Sequence, residues 1–108
     1  MIKLIVSDID GTLVPEGNAD LNPEYLEVSK KLTEKGIVFA AASGRHASSI
    51  HAVFQPVSER IYYVSDNGAC IEKNGKEERA LYLPAKELRE LLYEARKMEG
   101  CYVMFSAV

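Results

Sequence analysis

The sequence has no excess of basic charge, only two cysteines and no apolar run long enough to cross a membrane, and each lack removes a class of function. Its 13 lysines and arginines are outnumbered by 16 aspartates and glutamates, for a net charge of −3. Nucleic-acid binders present a basic face, so that partner is not expected. Cys70 and Cys101 lie far apart and match no metal-ligand or redox spacing. They read as small apolar residues kept reduced. A membrane-spanning helix needs roughly 20 consecutive apolar residues, and nothing here approaches that, so no membrane partner is expected. The apolar opening Met1–Val6 is too short for a secretory signal, and Asp8 and Asp10 follow it directly. The expected location is the cytoplasm. No internal repeat or low-complexity linker interrupts the chain. With 47% apolar residues it has the composition of a folded domain, and its length suffices for one modest core.

What is present alternates. Residues 2–6 are apolar and rich in β-branched side chains, which predicts a central strand buried on both faces. Asn22 and Pro23 are a good N-cap and first helical residue, Glu24 suits the first turn, and Gly36 a C-terminal stop. Residues 37–42 predict a second buried strand. Strand, helix and strand in that order make a βαβ unit with a parallel sheet. Ligands of such sheets bind outside the carboxyl ends of the strands. Both predicted strands end in polar clusters, at residues 7–12 and at Ser43-Gly44-Arg45. Position alone therefore puts the site there. A short helix is predicted from Ala47 to Phe54, a third strand over 61–64, and a turn at Asp66-Asn67-Gly68. A hairpin follows, with Asn74-Gly75 in its turn and a solvated face at residues 76–79. Leu88, Leu91, Leu92, Ala95 and Met98 recur at helical spacing within 84–99, and 101–108 reads as an apolar strand.

Asp8 and Asp10 stand two apart at a strand end, where i and i+2 side chains point the same way, about 6–7 Å apart. Carboxylates this close repel unless a proton or cation intervenes, and Mg²⁺ suits oxygen ligands beside phosphate. One carboxylate can act as nucleophile and the other as general acid and base. Taken alone, Asp-x-Asp is also a common solvated turn. Ser43 taken alone also reads as a helix N-cap, Arg45 as a surface arginine, and Asn67 as a turn residue tolerant of positive φ. His46 and His51 are five apart, share no helix face, and read as structural.

The longer string Asp8-Ile9-Asp10-Gly11-Thr12-Leu13 after an apolar strand resembles the first motif of the haloacid dehalogenase superfamily. Ser43-Gly44-Arg45 and Asp66-Asn67-Gly68-Ala69 are similar to its Cof-type members. The resemblance implies an α/β, Rossmann-like parallel sheet core, present in part, with the start of an inserted α/β cap. Residues 1–68 would be core, 69–83 a connecting hairpin, and 84–108 the beginning of the cap. It implies that Asp8 attacks phosphorus and that Asp10 protonates the leaving group and then activates water. Thr12 would shape the loop, and Ser43 with Gly44 would receive the phosphate. Arg45 would meet a phosphate or substrate anion, and Asn67 would lie near the site mouth. Mg²⁺ would sit on the Asp8 carboxylate and the Asp10 carbonyl. The implied activity is hydrolysis of small phosphorylated metabolites, sugar phosphates or related monoesters.

The family also needs a lysine after the cap and an acidic Gly-Asp-x-x-Asn-Asp cluster, and no residues after Thr12 match the latter. The expectation is therefore part of a longer protein. A competing expectation is an inactive fragment that binds phosphate or a partner and self-associates. A metal–nucleotide site of a glycosyltransferase is disfavoured by Gly11-Thr12-Leu13 and Ser43-Gly44-Arg45.

Overall fold

The computed structural model describes residues 1–16 and 20–107. Strand β1 (Leu4–Asp8) is followed by helix α1 (Pro23–Glu34), strand β2 (Val38–Ala42), helix α2 (Ala47–Val53) and strand β3 (Tyr62–Ser65). Strands β4 (Cys70–Lys73) and β5 (Lys76–Ala80) then precede helix α3 (Ala85–Ala95). The five strands form one sheet in chain order. β1–β2 and β2–β3 are parallel, β3–β4 and β4–β5 antiparallel.

The local signals act as expected. Asn22 caps α1 by accepting the Glu24 amide at 3.0 Å, and Gly36 takes φ +76° just past its end. In the hairpin, Asn74 and Gly75 have φ +54° and +66°, the two-residue turn that matches strand twist. The hairpin does not stand apart from the core: β4 pairs along β3 and extends the same sheet.

The core lies on one face of that sheet. Phe39, Ala41 and Tyr63 from the strands meet Ile50 and Phe54 from α2 and its end, with Leu26 and Leu32 of α1 packed alongside. Phe54 is fully buried, its ring 6.3 Å from that of Phe39. Phe54→Ala should cost about 3–5 kcal/mol. Urea unfolding at fixed protein concentration reads this, and a loss under about 1 kcal/mol would remove Phe54 from the core.

Two expectations need correction. β1 is not buried on both faces: Leu4 and Val6 remain 55% and 54% exposed, and the strand forms one edge of the sheet. Both α1 and α2 pack against the opposite face, where the core lies. The run expected as a strand at 101–108 forms none over its described residues, 101–107. A strand needs a neighbour to satisfy its backbone groups, and no described strand runs alongside. The segment instead returns along the apolar stripe of α3 to the loop before α2. There His46 Nε2 lies 3.0 Å from the Ala107 carbonyl oxygen.

Candidate active site

The loop after β1 is built around Ile9. Its side chain is fully buried, and its carbonyl accepts the amides of Thr12, Leu13 and Val14 at 3.2, 2.9 and 2.9 Å. Gly11 turns the chain at φ +78° and donates its amide to the Val14 carbonyl at 2.8 Å. Anchored this way, the loop turns the flanking Asp8 and Asp10 toward solvent. Thr12 Oγ1 donates to Asp8 Oδ2 at 3.1 Å, which fixes one face of that carboxylate.

The loop after β2 reaches Asp10. Ser43 Oγ donates to Asp10 Oδ2 at 3.1 Å and accepts the Arg45 amide at 3.1 Å. The Arg45 guanidinium grips the same carboxylate: Nε lies 3.0 Å from Oδ2 and Nη2 lies 2.5 Å from Oδ1. Arg45 first, then Ser43, hold the Asp10 carboxyl below the usual carboxylate range, against the opposing pull of desolvation. Asp10 in this state is the anion.

The loop after β3 is laced to the same place by main-chain bonds. The Asn67 amide donates to the Ser43 carbonyl at 3.1 Å, and the Asp66 amide to the Arg45 carbonyl at 3.0 Å. Asp66, Asn67 and Gly68 all have positive φ, from +50° to +93°. Gly44 lies close against this loop: a Cβ there would stand 3.0 Å from Asn67 Oδ1, so the Asn67 side chain would have to shift.

The result is a hollow of about 310 Å³ lined by Asp8, Ser43, Gly44, Asn67 and Gly68, at the carboxyl ends of the three parallel strands. The remaining expected site residues sit one bond away: Thr12 on Asp8, Asp10 on Ser43, and the Arg45 amide on Ser43. Ser43 is not the N-cap of α2; that place belongs to His46, whose Nδ1 accepts the Ser48 amide. Arg45 is spent on Asp10 rather than lying on the surface as an unpaired cation. Asn67 is a positive-φ turn residue and also lines the hollow.

For Mg²⁺ the donor chemistry fits in part. The Asp8 carboxylate is a hard oxygen donor, and no backbone amide among the described residues donates to the Asp10 carbonyl. The described residues contain no group of three His, Cys, Asp or Glu side chains able to hold an ion, so these two positions would be only part of a coordination shell.

Sequence reasoning missed one pair, a partly exposed histidine against a buried glutamate. His51 of α2 meets Glu72 of β4, and its ring lies 4.3 Å from that of Tyr63. The partners are separated by 21 positions and two turns, so no local spacing marks them. The contact ties the helix after Ser43-Gly44-Arg45 to the strand after Asn67. Cys70 is buried, and that burial pushes its thiol up, as befits an inert core residue.

Comparison with known proteins finds relatives over most of the chain. The HMP-PP phosphatase of Serratia proteamaculans is 31% identical over 94 residues, covering 86% of this chain and 34% of that protein. The 5-amino-6-(5-phospho-D-ribitylamino)uracil phosphatase YbjI of Escherichia coli is 28% identical over 76 residues, covering 70% of this chain and 28% of its own length. A crystal structure from Eubacterium rectale superposes with a TM-score of 0.79 at 32% identity, over 89% of this chain and 37% of that one. A Bacteroides thetaiotaomicron phosphatase superposes with a TM-score of 0.70 at 30% identity, over 90% of this chain and 36% of that one. The chain thus spans about a third of the length of the relatives it matches. Residues 5–108 match the haloacid dehalogenase-like hydrolases as a family, and the chain belongs to that family.

Proposed function

We propose that this chain forms the nucleophile-bearing part of a cytoplasmic, Mg²⁺-dependent phosphatase that hydrolyses small, sugar-phosphate-like monoesters through an aspartyl-phosphate on Asp8. In this reading residues 1–68 are core, 69–83 connect, and 84–108 begin the cap. The carrying observation is the hollow at the ends of β1, β2 and β3, lined by Asp8, Ser43 and Gly44. Relatives named as phosphatases support the reaction class.

In the first step Asp8 attacks phosphorus, the bond from phosphorus to the leaving oxygen breaks, and Asp10 gives that oxygen a proton. In the second, Asp10 takes a proton from water as the water attacks phosphorus. The bond to Asp8 then breaks and orthophosphate leaves. Mg²⁺ bound at Asp8 and the Asp10 carbonyl would offset the charges of carboxylate and phosphate. Thr12 orients Asp8 for attack. Ser43, bonded to Asp10 in the free chain, is placed to turn toward a phosphate oxygen.

Arg45 has the subtler task. It keeps Asp10 ionised, the form needed to activate water and the wrong form to protonate a leaving group. An incoming phosphate dianion competes for Arg45, and a carboxylate released from its guanidinium takes up a proton more readily. A second reading, phosphate binding without turnover, draws on the same pair. Arg45 contacts both Asp10 oxygens, and the described residues hold no third carboxylate for a metal.

Asp10→Asn in the complete gene product separates the two readings. Proton transfer contributes about 10²–10⁴-fold, so formation and hydrolysis of the phosphoenzyme should both slow by that order. Rates unchanged across the pH range would remove Asp10 from the chemistry. No turnover by the complete wild-type protein would favour binding alone.

A further inference from the structure

We infer that His46 is a positioning residue: its ring ties the segment 101–107 to the loop Ser43-Gly44-Arg45 and fixes where that segment stands beside the loops that line the Asp8 hollow. The tie rests on geometry alone; its effect on turnover rests on the phosphatase reading. Each ring nitrogen has its own task. Nε2 lies 3.0 Å from the Ala107 carbonyl oxygen, which can only accept, so Nε2 must carry a proton. A neutral ring protonated there leaves Nδ1 bare, and Nδ1 accepts the Ser48 amide at 3.4 Å as the N-cap of α2. The Ser48 hydroxyl, 3.1 Å from Nδ1, can donate to it as well. A single tautomer therefore satisfies both ends of the ring.

The loop is the fixed partner of the two. Its Ser43 and Arg45 carbonyls accept the Asn67 and Asp66 amides at 3.1 and 3.0 Å, and the His46 carbonyl accepts the Ser49 and Ile50 amides at 3.0 and 3.3 Å. No backbone-to-backbone bond among the described residues holds the segment. Val103 and Phe105 are half-exposed along α3 and the end of the hairpin, while Tyr102 and Met104 are almost wholly exposed. Apolar contact of this kind is non-directional and lets an extended segment slide. The bond from His46 selects one register. At that register Ser106 lies against Asp66, Ala69 and Cys70, in the loop whose Asn67 and Gly68 line the Asp8 hollow. In the phosphatase reading this segment begins the cap, so its register sets where the cap stands over the loops. Cutting the tie frees the segment and leaves Asp8, Asp10 and Ser43 in place. Substrate affinity then falls with the fraction of molecules whose segment is displaced, while the chemical steps keep their rates.

Two substitutions in the complete gene product separate the tasks of the ring. The Asn side chain places an acceptor where Nδ1 stands and is too short to reach Ala107, so His46→Asn keeps the cap of α2 and loses the tie. The Gln side chain places an N–H where Nε2 stands, so His46→Gln keeps the tie and loses the cap. Amide hydrogen exchange should quicken over 101–107 in His46→Asn and stay at the wild-type rate there in His46→Gln. With p-nitrophenyl phosphate and Mg²⁺, His46→Asn should raise KM about fivefold at unchanged kcat, and His46→Gln should restore the wild-type KM. In wild type, nitrogen-15 spectra in mildly alkaline buffer should show the His46 proton on Nε2. A proton on Nδ1, unchanged exchange over 101–107 in His46→Asn, or equal loosening in both variants overturns the tie. A tie seen by exchange with KM unchanged in His46→Asn overturns its part in turnover. A wild-type protein that hydrolyses nothing overturns the phosphatase reading, and the exchange experiment still decides the tie.

Discussion

Replacing Asp8 by asparagine in the complete gene product should abolish hydrolysis of phosphate monoesters, by on the order of 10⁴-fold or more, and leave the fold intact. The amide is nearly isosteric with the carboxylate and can still accept the Thr12 hydroxyl, which now bonds Asp8 Oδ2 at 3.1 Å. Asp8 is exposed at the end of β1, outside the core, so little packing is at stake. The nucleophile is lost, because an amide oxygen is a far weaker donor to phosphorus and forms no stable acyl phosphate. Beryllium trifluoride, which mimics an acyl phosphate, should accordingly bind wild type and not the variant. Chelation by EDTA should stop wild-type turnover and added Mg²⁺ restore it. A correctly folded Asp8→Asn protein with near wild-type rates would eliminate Asp8 as nucleophile. Hydrolysis that survives EDTA would refute the metal's part.

Much of this site was legible in the sequence because its parts are local. The loop from Asp8 to Val14 is closed by bonds among its own residues, and Ile9 is marked as its anchor by being the one large apolar residue between two acids. Gly75 after Asn74 specifies a turn wherever it occurs between strand-forming runs. The pairing of Arg45 with Asp10 was not legible. It joins loops 35 positions apart, and sequence alone left Arg45 between an anion site and open surface. The His51–Glu72 contact escaped for the same reason. The two misjudged strands share another cause. An apolar run shows that a segment would be stable with neighbours on its faces and edges, and carries no information on whether those neighbours are present. Residues 2–6 found one neighbour and one covered face; residues 101–107 found no strand at all.

That shortage of neighbours governs the behaviour of the 108-residue chain by itself, which should show no appreciable phosphatase activity and should associate with copies of itself. At the site its described residues supply the Asp8 carboxylate, bonded by Thr12, and the Asp10 carboxylate, already paired with Arg45. A phosphate dianion approaching Asp8 meets little compensating charge, and such electrostatic stabilisation is commonly the largest catalytic contribution. Association follows from surface. β1 offers an unpaired edge, and beside it Leu4, Val6 and Val38 are 55%, 54% and 40% exposed on a single sheet face. A second apolar region joins Leu81 and Leu83 to Leu91 and Phe105. Monomers rarely leave such patches open, and an edge strand is a template for another chain. Two copies related by a two-fold axis would set β1 antiparallel to its counterpart, satisfying both edges at once. Sedimentation velocity should therefore show species larger than the monomer, with their fraction rising with concentration. Val6→Lys should shift the distribution toward monomer, because a charge on the edge strand opposes pairing. If the wild-type chain sediments as a monomer at every concentration and hydrolyses p-nitrophenyl phosphate with Mg²⁺, both expectations fail. The positive charge and the further metal ligands would then have to come from residues assigned here to the hairpin and α3.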